Sequence, residues 1–135
     1  GRIEFAKGLF PEYSFTAISD GTLPFSTNHF DYVLIVAVLH HIPPDKIFGY
    51  LREFQRVLKP QGQVLVVEPC LKKNSPISNR LMTIFDNGRY ILDDQSYLAF
   101  FEKIKYRTKT IKRFRKFFYN EVFFSAMPPI ALMPS

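Results

Sequence analysis

Residues 20–69, DGTLPFSTNHFDYVLIVAVLHHIPPDKIFGYLREFQRVLKPQGQVLVVEP, decide the fold of this chain. Residues 32–38 (YVLIVAV) carry no polar group beyond the tyrosine hydroxyl. Such a run predicts a strand buried on both faces, as in a parallel sheet covered by helices. Pro43, Pro44 and Asp45 then open a helix: proline fits the first turn and a carboxylate favours the positive helix end. Ile47, Tyr50, Leu51, Phe54, Val57 and Leu58 fall on one apolar face, which turns Arg52, Glu53, Gln55, Arg56 and Lys59 largely toward solvent. Lys59-Pro60-Gln61-Gly62 ends the helix. Residues 63–68 (QVLVVE) follow as a second buried strand. Strand, helix and strand at this spacing form a βαβ unit, expected to be right-handed.

Working outward, residues 2–10 have a helical stripe in Ile3, Ala6 and Phe10 that Pro11 stops. Residues 13–18 (YSFTAI) predict a short strand closed by Ser19-Asp20-Gly21. Downstream, Ser75 is the expected cap and Pro76 the first-turn residue of a helix ending near Gly88, with Ile77, Leu81, Ile84 and Phe85 on its face. Asp93 or Asp94 caps a further helix through Lys103, with Leu98 and Phe101 inward. Lys105, Arg107 and Lys109 alternate with Tyr106, Thr108 and Thr110, the pattern of a strand with one wet basic face. Residues 113–116 read as a basic turn or strand end. Residues 119–125 predict a last strand antiparallel to the one before it. The closing MPPIALMPS is broken by prolines.

The 135 residues are 47% hydrophobic and 22% charged, which is globular rather than disordered. A single domain over residues 1–135 follows, and its opening inside a helical pattern suggests an N-terminal truncation. The formal charge of +6 is weak evidence for an acidic partner. The lone Cys70 cannot form an internal disulfide and fits a reducing compartment. The apolar run at 32–39 is too short to span a membrane. Together these point to a cytoplasmic protein without membrane contact.

The segment resembles the class I S-adenosylmethionine-dependent methyltransferases of the methyltransferase type 11 group. The resemblance rests on Asp20-Gly21 with Leu23-Pro24-Phe25, then Phe30-Asp31 opening an apolar strand. It continues through Leu39-His40-His41-Ile42 and Arg56-Val57-Leu58-Lys59-Pro60 with Gly62. It implies an α/β, partial Rossmann-like methyltransferase fold, with parallel strands, helical crossovers and a C-terminal antiparallel strand pair. In the family the sheet order is 3-2-1-4-5-7-6. By that carry-over this chain lacks the first two strands, their glycine loop and the acid that holds the ribose. Its six glycines form no Gly-x-Gly. Gln61 stands where the family usually has a glycine, so either Gly62 takes the positive-φ position or Gln61 sits in a compatible turn.

The resemblance implies S-adenosylmethionine as cofactor and a small molecule as methyl acceptor. Asp20 matches the acid that accepts from the adenine amino group, with Gly21 offering backbone beside it. The alternative for Asp20-Gly21 is a turn without ligand. Ile35 and Val36 end the strand at the crevice and line the methionine part. His40 stands beside the pocket, and His41 matches the more constant histidine, holding the loop. His41, Glu68 and Tyr90 are the substrate-side candidates. Two adjacent histidines lack a third or fourth ligand at useful spacing, so no zinc site is expected. Catalysis needs no assigned base, because the sulfonium methyl is already activated and placement supplies much of the rate.

Two other readings stand beside this one. Lys103, Lys105, Arg107, Lys109, Lys112, Arg113, Arg115 and Lys116, interleaved with aromatic residues, fit an RNA methyltransferase. An exposed basic strand protected against edge pairing explains the same residues. A non-catalytic partial domain that completes its sheet as a homodimer is the third.

Overall fold

The computed structural model describes residues 1–87 and 89–130. Its elements are α1 (Arg2–Leu9), β1 (Phe30–Val36), a single 3-10 turn (Leu39–His41), α2 (Pro44–Val57), β2 (Leu58–Pro69), α3 (Pro76–Phe85), α4 (Asp94–Lys103), β3 (Arg107–Lys116) and β4 (Tyr119–Met127). The four strands form one sheet in the order β1-β2-β4-β3. β1 and β2 are parallel, joined through α2, while β4 is antiparallel to both β2 and β3. The α/β class, the βαβ unit and the C-terminal antiparallel pair are as the sequence predicts. Among the described residues no helix is long and apolar enough to cross a membrane.

One sheet face carries the core. Register sets Ile35 beside Val66 and Val66 beside Phe124, with Val64 opposite Ala126 and Glu68 opposite Val122. Ile47, Leu51 and Val57 of α2 and Tyr97, Leu98 and Phe101 of α4 close over this row. Phe101 is central. Its ring meets those of Tyr106 and Phe124 edge-on, each at 5.4 Å, the arrangement that aromatic quadrupoles favour. The Tyr106 hydroxyl donates to the Leu51 carbonyl at 2.6 Å, so α2 and the entry to β3 share a buried polar tie.

The other face departs from expectation. Successive strand residues point to opposite sides, and here Tyr32, Leu34 and Val36 are 54–65% exposed. Their neighbours Leu65 and Val67 are half-buried. β1 is therefore an edge strand covered on one face, not a strand buried on both. The expected strand at 13–18 is irregular chain instead. An extended segment needs a ladder partner, and β1 pairs only with β2 among the described residues. α1 forms where expected but buries no residue.

Turn chemistry explains two local features. Between its pairs with Phe30 and Tyr32, β2 bulges through residues 59–62. Gln61 takes the positive φ there, at 67°. Gly62 is needed for close approach: a Cβ on it would lie 2.9 Å from the Lys59 carbonyl oxygen and 3.1 Å from that of Asp31. Ser75 makes no side-chain cap to α3. Asp93 does cap α4, accepting from the Ser96 amide at 2.8 Å. The expected stop at Gly88 and the last part of the MPPIALMPS tail, residues 131–135, lie outside the described residues. β3 continues through residues 113–116, and its basic side chains are exposed along the sheet edge.

Candidate functional site

In an open α/β sheet, ligands sit beyond the carboxyl ends of the parallel strands. Here those ends are Val36 and Pro69, and a buried carboxylate links them. Ala37, directly after β1, has φ of 54°, a region costly for a residue with a Cβ. Its amide donates to the Val67 carbonyl at 2.8 Å. The turn this creates points the next two amides, of Val38 and Leu39, at Oε1 of Glu68, each 2.7 Å away. Oε2 of Glu68 meets Nδ1 of His40 at 2.6 Å. Glu68 is fully buried and His40 nearly so. A buried carboxylate demands such compensation, and this one receives three donors.

His40 lies between two acids. Its Nε2 is 3.3 Å from Oδ1 of Asp86. Burial alone would lower the imidazole pKa, but the Glu68 hydrogen bond, the Glu68 charge and Asp86 together raise it above its usual value. The Tyr90 amide donates to the His40 carbonyl at 3.0 Å, binding the segment after α3 to the 39–41 turn. His41 is exposed, its ring centroid 4.1 Å from that of His40. His40 thus takes the loop-holding part expected of His41, while His41 faces outward. Glu68, placed beside substrate by the sequence, is an interior clamp with both oxygens engaged. Asp86 had no signal in local spacing, and the fold brings its carboxylate to within 4.8 Å of ligand atoms on His40 and His41.

A second cluster sits at the other end of the βαβ unit. Asp20 is exposed, and its Oδ1 accepts from the Thr22 amide at 3.0 Å, an Asx turn made with Gly21 at φ of 79°. Both residues line a cleft of about 660 Å³ along α2. The adjoining Leu23–Phe25 loop is held by Glu53 and Arg56, which the helical pattern had assigned to solvent. Glu53 takes the Leu23 amide at 2.8 Å and a forked pair of bonds from Arg56. Arg56 also donates to the carbonyls of Phe25 and Leu23 at 2.8 and 2.9 Å. The Arg56 hydrogen bonds, with that amide, lower the Glu53 pKa to about 2. The i,i+3 spacing of opposite charges was the available signal.

Between the two clusters runs an apolar groove of about 450 Å³ beside the open edge of β1, with Leu23, Ile35, Val38 and Tyr50 in its wall. Ile35 faces this groove and the core, whereas Val36 points to the opposite face. Asp20 and Gly21 are not in this groove. Tyr50 borders both spaces and so joins them. Cys70, just past β2, is buried, its amide donating to the Asn120 carbonyl at 2.8 Å. Burial raises its thiol pKa to about 11, which keeps it neutral and unreactive.

The parallel βαβ unit continued by an antiparallel pair is a fold shared with solved S-adenosylmethionine-dependent methyltransferases. YcgJ from Bacillus subtilis superposes with a TM-score of 0.73 at 14% identity, over 93% of this chain and 77% of that one. A SAM-dependent methyltransferase from Aquifex aeolicus gives 0.65 at 12% identity, over 91% and 62%. Identities this low speak for the fold alone. Residues 3–66 match the family described as methyltransferase domain. The ubiquinone/menaquinone biosynthesis C-methyltransferase UbiE of Rickettsia felis is 42% identical over 67 residues, 50% of this chain and 26% of that protein. The chain spans about a quarter of the length of the curated relatives it matches.

Proposed function

We propose that this chain serves S-adenosylmethionine-dependent methyl transfer to a small-molecule acceptor. The observation that carries the reading is the methyltransferase-domain match over residues 3–66, which runs through the Asp20 turn, β1 and the His40-His41 turn. When bound, the cofactor supplies an electrophilic methyl on a positively charged sulfur. The protein's task is then to place the acceptor and exclude water, with no strong base required.

In this reading Asp20 takes the adenine amino group through its second carboxylate oxygen, Oδ1 being held by Thr22. Gly21 leaves the backbone beside it accessible. Glu53 and Arg56 keep the Leu23–Phe25 loop in place for that contact. Ile35 and the backbone from Val36 to Val38 wall the methionine part. Glu68 and His40 are positioning residues, which hold the turn rather than touch reactants. His41 and Tyr90 face the acceptor.

Calorimetric titration with S-adenosylhomocysteine tests the reading. Saturable binding by this chain, weakened at least tenfold by Asp20→Ala, is the expected result. An absence of binding, or binding indifferent to Asp20, overturns the assignment of the cofactor crevice to these residues.

The open edge and outer face of β1 support a second reading, in which a second copy of the chain completes the sheet. Unpaired edge groups beside exposed apolar side chains favour such pairing. Sedimentation of the chain and its Leu34→Lys variant decides it: a dimer that the variant dissociates supports sheet completion, and a monomer at high concentration rejects it.

A further inference from the structure

We propose that His40, His41 and Asp86 form a binding site for a divalent transition-metal ion of the class imidazole favours, with zinc the first candidate. The ligand set is two histidines from the turn after β1 and one carboxylate from the end of α3. Their ligand atoms lie within 4.8 Å of one another. Two imidazoles and one carboxylate suit zinc or cobalt better than the harder magnesium or calcium.

The outer arrangement supports the inner one. A carboxylate can only accept, so the 2.6 Å contact between Glu68 and Nδ1 of His40 places a proton on Nδ1. That leaves Nε2 as the nitrogen turned toward Asp86. An imidazole backed by a buried carboxylate has a fixed ring and greater basicity, the usual support behind metal-binding histidines. Glu68 is itself fixed by the Val38 and Leu39 amides, so the support does not depend on an exposed side chain.

Spacing agrees as well. A tetrahedral ion ~2.0–2.2 Å from each ligand atom holds those atoms roughly 3.3 Å apart. Nε2 of His40 and Oδ1 of Asp86 are 3.3 Å apart. His41 is exposed on the same turn, with its ligand atom within 4.8 Å of the other two. Any proton on Nε2 leaves to solvent as the ion enters. Three protein ligands leave one position for water or for an oxygen of a bound molecule, at the carboxyl end of β1 where the crevice opens. The ion would also fasten the 39–41 turn to the segment after α3, already joined by the Tyr90 amide.

The test is calorimetric titration of the tag-free, chelator-treated chain with zinc chloride, repeated with cobalt chloride while following visible absorption. One ion per chain and intense tetrahedral cobalt bands are expected. Asp86→Asn and His41→Ala each remove a surface or half-buried ligand, and each should weaken binding at least tenfold, in line with ~10–100-fold effects around metal sites. His29→Ala, at the remaining histidine, should bind as the parent does. Far-UV circular dichroism and melting of each variant confirm that folding is retained. No binding by the parent, or binding that Asp86→Asn and His41→Ala leave unchanged, overturns the site. The outcome is independent of cofactor binding, so the methyltransferase reading can fail without it.

Discussion

The two faces of the sheet are built from similar residues and have opposite fates. On one, Ile35, Val64, Val66, Val122, Phe124 and Ala126 meet α2 and α4 and are sealed from water. On the other, Tyr32, Leu34 and Val36 stand in solvent beside half-buried Leu65 and Val67. Both are largely apolar. The difference is what lies across from them. Hydrophobic composition reports a need for cover, and only packing shows whether the need is met.

The largest expected contrast comes from truncating one residue on each side. Phe101→Ala removes the ring at the centre of the covered face and should cost ~3–5 kcal/mol in urea unfolding. Leu34→Ala should change it by less than ~0.5 kcal/mol, as exposed positions usually do. Equal losses would mean that the outer face is also packed in solution. Gly62→Ala comes next. It forces a Cβ against two carbonyl oxygens where β2 joins β1, and ~1–3 kcal/mol of destabilisation is expected, the range for overpacking.

A smaller effect separates the Leu23–Phe25 loop from the core. The Glu53 pKa is held at about 2, below the ordinary carboxylate value. A depressed pKa gives stability that is present above the unfolded value and lost as pH falls through the folded one. The parent's advantage over Glu53→Gln should therefore hold near neutrality and vanish between roughly pH 4.5 and 2. The pair borders water, so a modest difference in melting temperature is the readout. An advantage that persists at pH 2 would refute the assignment. The smallest change is Gln61→Gly, which relieves a positive φ and should stabilise by up to ~1 kcal/mol, the unfolded-chain entropy of glycine offsetting part of the gain.

Much of the architecture was legible because periodicity tracks local geometry. Residues 44–57 repeat their apolar positions as a helix, and residues 105–110 and 119–125 alternate as strands. The strand expected at 13–18 fails for a physical reason, since alternation describes one segment and a ladder needs two. The site was less legible. Glu68 ends a strand at the crevice, where a carboxylate reads equally as a substrate contact or as a clamp. Only the inward positions of the Val38 and Leu39 amides decide for the clamp. Asp86 reaches His40 through the folding of α3, which no spacing rule encodes. Glu53 and Arg56 did carry a pair signal, yet an amphipathic pattern cannot tell a solvated face from one that grips a loop.

The burial of Cys70 makes the protein its own clock. The chain has one cysteine, and its thiol is both shielded and held neutral, with a pKa of about 11. Alkylation at pH 8 is therefore slow in the folded chain and faster in molecules in which the end of β2 has come away from β4. The rate at which label accumulates counts those openings without any introduced probe. Comparing that rate with and without cofactor, or with and without zinc, measures how far each holds the crevice end of the sheet closed.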